Sequence, residues 1–204
     1  MITPSLLAAE WQSLFNGQDL TGWRANVMPE SFAVVNGAIR AQATKESAHL
    51  FYVGNLKDGF VRFKNFELEM TVRGEPNANS GIYFHTDMSV RNAKNHLARG
   101  YEIQLNNTAK EQRKTGSLYG VVDLSLSPVD GTKWFRVRVR VQDKHITVFI
   151  NDIKTVDYTE PARVQRSKNF AGRVLNPNGG AIALQAHDPK SVYYFKDIRL
   201  RRLP

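Results

Sequence analysis

Cysteine is absent from the 204-residue chain. That excludes a disulfide framework, zinc–thiolate sites and a cysteine nucleophile, and says little about compartment. No apolar run approaches the roughly 18 residues of a membrane-spanning helix. The first residues, MITPSLLAAEWQS, lack the basic segment and the long apolar run of a signal peptide. Metal-ligand spacings such as HxH and HExxH are missing, and no GxSxG elbow presents a serine nucleophile. Glu102 has no acidic partner at strand spacing, which argues against two-carboxylate glycoside hydrolysis.

Positive charge is plentiful, at a formal net +9. Its distribution argues against nucleic-acid binding. Bases are interspersed with acids, as at Lys45-Glu46 and Lys57-Asp58, and no aromatic residues interleave with a basic cluster. The charge therefore reads as solubility with some attraction for anionic ligands.

What the sequence has in abundance is alternation. FELEMTVR (66–73), WFRVRVRVQ (134–142), HITVFIND (145–152) and GIYFHT (81–86) all read at period two. So do YEIQL (101–105), SLYGVVDL (117–124), IKTVDY (153–158), AIALQAH (181–187) and SVYYFKDIRLRRL (191–203). Asn36-Gly37 and Asp143-Lys144 are compact hairpin connections. Only residues 5–13 look helical, as a lead-in. Short strands punctuated by Gly, Asn and Pro predict an all-β fold, a two-sheet antiparallel sandwich of jelly-roll type, in one domain spanning 1–204. Arg136, Arg138 and Arg140 are expected to pair across strands with Glu67 and Glu69 on a solvated face.

Three connections are long for such a fold: 86–100, 106–116 and 159–180. Loops of that length tend to build binding rims. The first two flank YEIQL. Three strands then offer polar residues to one sheet face: Tyr83 with His85, Glu102 with Gln104, and Gln185 with His187. A histidine and a carboxylate together can supply general acid and base. An ordinary exposed antiparallel face would show the same alternation.

The motifs SLFNGQDLTGWR (13–24), FELEMTVRGEPNANSGIYF (66–84), GYEIQLNN (100–107) and TGSLYG (115–120) occur in an order that resembles a known family. WFRVRVRVQDKHITVFINDIKTVDYTE (134–160) and GAIALQAHDPKSVYYFKDIRLRRL (180–203) continue it. The chain is similar to the bacterial 3-keto-disaccharide hydrolase domain family, also described as 3-keto-glucoside 1,2-lyases and 3-keto-2-hydroxy-glucal hydratases. The resemblance implies a concanavalin-like sandwich acting on sugars that a partner sugar 3-dehydrogenase has oxidised at C3. The ketone acidifies the C2 proton, so a base removes it, the C1 oxygen leaves, and water adds to the enone.

Carried onto this sequence, the resemblance makes Glu102 and His187 the proton-transfer candidates. Gln104, Gln185, Tyr83, His85, Tyr119 and Asp188 become candidate substrate contacts, with Trp23 as a further aromatic that could equally be core. It also implies a periplasmic or extracellular location. A divalent metal is a candidate cofactor whose ligands the sequence leaves unspecified. Two positions depart from the family pattern: Ala186 stands where relatives commonly carry an acid, and His85 where an arginine is common. The alternative reading is a carbohydrate-binding module that uses the same face without chemistry.

Overall fold

Residues 10–204 are described by the computed structural model. The alternating segments form strands because each can bury one row of side chains while its backbone pairs on both edges. In chain order the first seven are β1 (Gln12–Ser13), β2 (Trp23–Ala25), β3 (Phe32–Val35), β4 (Ala38–Ala41), β5 (Ala48–Tyr52), β6 (Phe66–Gly74) and β7 (Asn79–Thr86). The remainder are β8 (Tyr101–Asn106), β9 (Phe135–Gln142), β10 (His145–Ile150), β11 (Ile153–Thr159), β12 (Ala181–Ala186) and β13 (Tyr193–Arg202).

Two antiparallel sheets result. The larger runs β11-β10-β9-β6-β13-β4-β3, with β1 added to β13. The smaller runs β2-β5-β12-β7-β8. Between them lies the main core, where Phe66, Leu68, Met70 and Val72 of β6 meet Ile82 and Phe84 of β7 and Ile182 and Leu184 of β12. Each such side chain contributes about 1.5–3 kcal/mol on leaving water. This is the concanavalin-like jelly-roll sandwich that the sequence implies.

A second, smaller cluster decides where function sits. Phe51, Val53, Tyr83, Leu97, Ala181 and Ala183 are buried on the other side of the five-stranded sheet, with Phe60 and Met88 against them. That outer face is covered by long connections rather than open to water. The connections are tied together: Gly100 N–H donates to Gly172 O at 3.0 Å, and Arg91 Nη1 donates to Asn169 O at 2.8 Å. A side chain on Gly172 would fall 1.8 Å from Ala98 O, so the two loops cross in backbone contact.

Both hairpins form as expected. Asn36 (φ 50°) and Gly37 (φ 76°) join β3 to β4, and Asp143 (φ 55°) leads from β9 to β10. Other expectations need correction. Of the helical lead-in at 5–13, residues 5–9 lie outside the described residues, and Gln12–Ser13 is a strand paired with Leu200 and Arg199. Residues 117–124 form no regular strand: Leu118 bridges Ile103 and Val122 in isolation. Gly116 and Gly120, at φ 93° and 72°, turn the chain on either side of it.

The arginine face is also rearranged. Register sets Arg140 opposite Glu67 and Arg138 opposite Glu69. The close partners instead come from β13, on the other side of β6. Arg201 donates Nε and Nη2 to Glu67 Oε2 at 3.0 and 2.6 Å, and Arg199 reaches Glu69 Oε1 at 3.1 and 2.6 Å. Arg138 approaches Glu67 only to 3.8 Å. Among the described residues, no helix is long and apolar enough to cross a membrane.

Candidate functional site

Pairing fixes which side chains share the outer face of the smaller sheet. Tyr83 stands opposite Glu102 and Ala183, Gly81 opposite Gln104, and Gln185 opposite His49. A recess opens above this row, lined by Tyr83, Glu102, Gln104, Gln185, His187 and Tyr119. Six of the eight residues singled out from sequence thus converge. Asn79, Arg91, His96 and Glu111 complete the lining. The enclosed water-accessible volume is about 50 Å³.

Glu102 is held from beneath. Arg173 Nη2 donates to Glu102 Oε2 at 2.6 Å, and both side chains are only 6% exposed. A second arm, Nη1, donates to Gly100 O at 3.2 Å, and the guanidinium lies over the Tyr83 and Tyr119 rings. The carboxylate leans across β7 at Gly81, where a methyl group would come within 2.6 Å of Oε1. The phenol of Tyr83 is pushed well above its ordinary pKa by burial, with the nearby Glu102 charge adding to the shift.

His187 follows the end of β12 and is oriented by its neighbour. Nδ1–H donates to Asp188 Oδ2 at 2.7 Å, and Nε2 accepts Asn79 Nδ2–H at 3.2 Å. Proton positions here follow from the network of partners. Ser191 Oγ donates to the same Asp188 oxygen at 2.8 Å, and Asn79 N–H donates to Ser191 Oγ at 2.9 Å. Burial raises the Asp188 pKa, but the bonds from His187 and Ser191 outweigh it and hold the carboxyl below its usual range. Asp188 therefore stands behind His187 rather than in the recess lining.

The amides form a polar row. Gln104 Nε2 donates to Asn79 Oδ1 at 3.1 Å, and Gln185 Nε2 donates to the Tyr83 hydroxyl at 3.2 Å. Gln104 Oε1 and Gln185 Oε1 are buried with no protein partner. A buried unpaired acceptor costs about 1–3 kcal/mol, so a hydroxyl-bearing ligand that pairs with it gains correspondingly. His49, fully buried beside Tyr83, has its pKa lowered to about 3 by burial and by the His96, His187 and Arg173 charges. His96 is lowered to about 4, chiefly by burial and then by Arg91 and His187.

His85 is not on this face. Register runs from Ala183↔Tyr83 to Ala181↔Thr86, so β7 carries one extra residue there. The bulge, with His85 at φ 52°, breaks the alternation with Tyr83. His85 stacks on Phe66, donates Nε2–H to Lys64 O at 2.9 Å and accepts Asn176 N–H at 3.1 Å. Trp23 is a core residue whose Nε1–H is bonded to Leu14 O at 2.7 Å.

Sequence reasoning missed Asn79, Arg91, Arg173 and Glu111. Asn79 shares the face of Gly81 and Tyr83, and starting that strand two residues earlier would have found it. Arg173 carries no local signal, because its contact with Glu102 spans 71 positions. Glu111 brings a second carboxylate into the recess from a loop and accepts the Tyr119 hydroxyl at 3.2 Å. Among the described residues, no three His, Asp or Glu side chains are grouped to hold a metal ion. That donor set does not fit a resident metal, so no step is routed through one.

Comparison with known proteins agrees with this fold. The fold matches a "putative glycosyl hydrolase" of Parabacteroides distasonis ATCC 8503 at TM-score 0.76, with 20% identity over 95% of this chain and 94% of that one. It also matches the carbohydrate-binding module CBM66 of Bacillus subtilis at TM-score 0.59, with 12% identity over 89% of this chain and 96% of the module. The exoplasmic/lumenal domain of VIP36, in a Ca²⁺- and mannose-bound form, superposes at TM-score 0.61, with 11% identity over 91% and 88% of the two chains. At these identities the likeness is one of fold. No curated protein sequence matches significantly. The 3-keto-alpha-glucoside-1,2-lyase-like domain family matches residues 10–201, and the chain belongs to that family.

Proposed function

We propose that the protein cleaves 3-keto-glycosides by β-elimination across C1–C2 and hydrates the product to a free 3-keto sugar. One observation carries the reading: Glu102 and His187 line one recess together with two amide groups whose oxygens lack partners. His187 takes the C2 proton at Nε2, the nitrogen opposite its Nδ1–H bond to Asp188, as the substrate displaces the Asn79 Nδ2–H that Nε2 otherwise accepts. Electrons from the C2–H bond form the C1=C2 double bond as the C1–O bond breaks, and the imidazolium returns its proton to the departing oxygen.

Arg91, the cation in the lining, offsets the negative charge that develops on the C3 oxygen. Glu102, paired with Arg173, accepts a proton from water as the water oxygen joins C1, and that proton then goes to C2. The amides of Gln104 and Gln185 receive sugar hydroxyls. The recess has room for about four waters, so entry of a pyranose ring requires its lining to widen. In this reading the substrate is supplied by a dehydrogenase that oxidises the C3 hydroxyl, and the family resemblance supports a periplasmic or extracellular setting.

A second reading comes from Glu111, whose carboxylate lines the recess with that of Glu102. Two carboxylates suit direct hydrolysis of unoxidised glycosides. The test is release of aglycone from a 3-keto-glucoside and from its parent glucoside by wild type, Glu102→Gln and His187→Ala, each checked for folding by circular dichroism. Release from the ketone alone, with losses of about 10²-fold or more in both variants, supports elimination. Release from the parent favours the two-carboxylate reading. Tight binding of ordinary glycans with no turnover of either favours a carbohydrate-binding module.

A further inference from the structure

Beside the recess lies a much larger cleft that the chemistry above does not use. It is formed where the turn after β6, the loop after β8 and the segment after β12 meet, and its volume is about 670 Å³. That falls in the size range of small-molecule sites, whereas the recess alone falls below it. Asn79, Glu111 and His187 line both spaces, so the two adjoin at the imidazole. The cleft also differs in character. Pro76 and Ala109 face it, together with the exposed Lys110 and Lys190.

We infer that this cleft binds the leaving group of the glycoside, and that it selects leaving groups presenting the apolar face of a ring. The inference rests on the reading of the recess as the site of the oxidised sugar. If the C2 proton goes to His187, the scissile C1–O bond lies beside the same imidazole. The group attached through that oxygen must then pass the boundary formed by Asn79, Glu111 and His187. The cleft is the space on its far side. Pro76 and Ala109 offer apolar surface, and none of the residues lining the cleft has a buried side-chain polar atom without a partner. An aromatic aglycone and the apolar face of a second pyranose share the chemistry that such a surface recognises.

The test compares methyl and benzyl 3-keto-glucosides, whose alcohols are similar in acidity, so that a rate difference reports contact with the cleft rather than leaving-group strength. Wild type is expected to favour the benzyl compound by about tenfold in kcat/KM, equivalent to about 1.4 kcal/mol. Ala109→Trp, which fills the cleft from an exposed loop position, should bring the ratio close to one through KM, and Ala109→Ser should retain it. Equal kcat/KM for the two substrates in wild type, or a ratio unmoved by Ala109→Trp, overturns the inference while leaving the recess chemistry intact.

If wild type turns over neither substrate, the elimination reading fails. Calorimetric titration with the same two compounds then still decides the cleft: a benzyl preference lost in Ala109→Trp upholds it, and equal affinity overturns it. A 3-keto-disaccharide in place of the benzyl compound distinguishes a sugar-ring preference from an aryl one.

Discussion

Removing the guanidinium beneath Glu102 should damage the protein more than removing both charged groups. Arg173 and Glu102 are each 6% exposed and meet at 2.6 Å. In Arg173→Met the carboxyl group stays buried but loses its counter-ion, a situation that costs about 3–5 kcal/mol. The arginine also donates to Gly100 O and covers two tyrosine rings, so the upper half of that range applies. For a chain of this length each kcal/mol moves Tm by about 2–4 °C, giving a fall of roughly 8–20 °C. Arg173→Met combined with Glu102→Gln leaves no buried charge and should recover about 2–3 kcal/mol relative to the sum of the single variants. Urea denaturation of the four proteins, with m-values compared, measures that coupling. A cost under about 1 kcal/mol for Arg173→Met, or strict additivity, would refute the claim that the pair is desolvated and mutually dependent.

Three further outcomes follow from the same geometry. Gly81→Ala puts a methyl group 2.6 Å from a carboxylate oxygen that Arg173 prevents from moving freely, so it should cost about 1–3 kcal/mol in thermal denaturation and lower kcat/KM. His49 titrates at about 3 in the folded chain against 6.5 ordinarily, so the unfolded state binds more protons between those values. Stability contributed by neutral His49 is therefore complete above pH 6.5 and lost as pH falls towards 3, by about 2–3 kcal/mol at pH 4.5; urea midpoints at pH 7 and 4.5 should differ less in His49→Phe, and an unchanged slope would refute this. Asp188, whose folded pKa is depressed, contributes stability above its ordinary value of 3.8 that is lost as pH falls through the lower folded value. Asp188→Asn should remove that acid-side loss in melts from pH 5 downward and slow keto-glycoside turnover by at least about tenfold, because the imidazolium loses its anionic partner.

Much of this architecture was legible in the residues, for identifiable reasons. FELEMTVR and WFRVRVRVQ pair in the register that their alternation demands, because a slip of one residue would turn Leu68 or Val139 out of the core. Asn36-Gly37 marks its hairpin because both residues tolerate positive φ. The convergence of Glu102, Gln104, Gln185 and Tyr83 was legible for the same reason, since period two fixes a face once the strands adjoin. What failed was whatever depends on a break in that period or on distant pairing. The bulge that turns His85 away leaves no mark in GIYFHT. Ala48–Tyr52, which carries His49, is apolar on both faces and shows no alternation. Arg173 and Glu111 arrive from loops whose paths are set by contacts such as Gly100 with Gly172, and local pattern says nothing of those. The Asp188–His187 bond was within reach, because adjacent residues at a strand end need only a turn to meet.

The central claim is that His187 removes the proton at C2 of a 3-keto sugar. Wild type and His187→Ala should be incubated in D₂O with a 3-keto-glucoside while the C2–H resonance is followed by proton NMR. Wild type should hasten loss of that signal, together with aglycone release, well beyond the spontaneous rate, and His187→Ala should not. Aglycone release with the C2 proton fully retained in the product would contradict the claim, as would equal exchange in the two proteins.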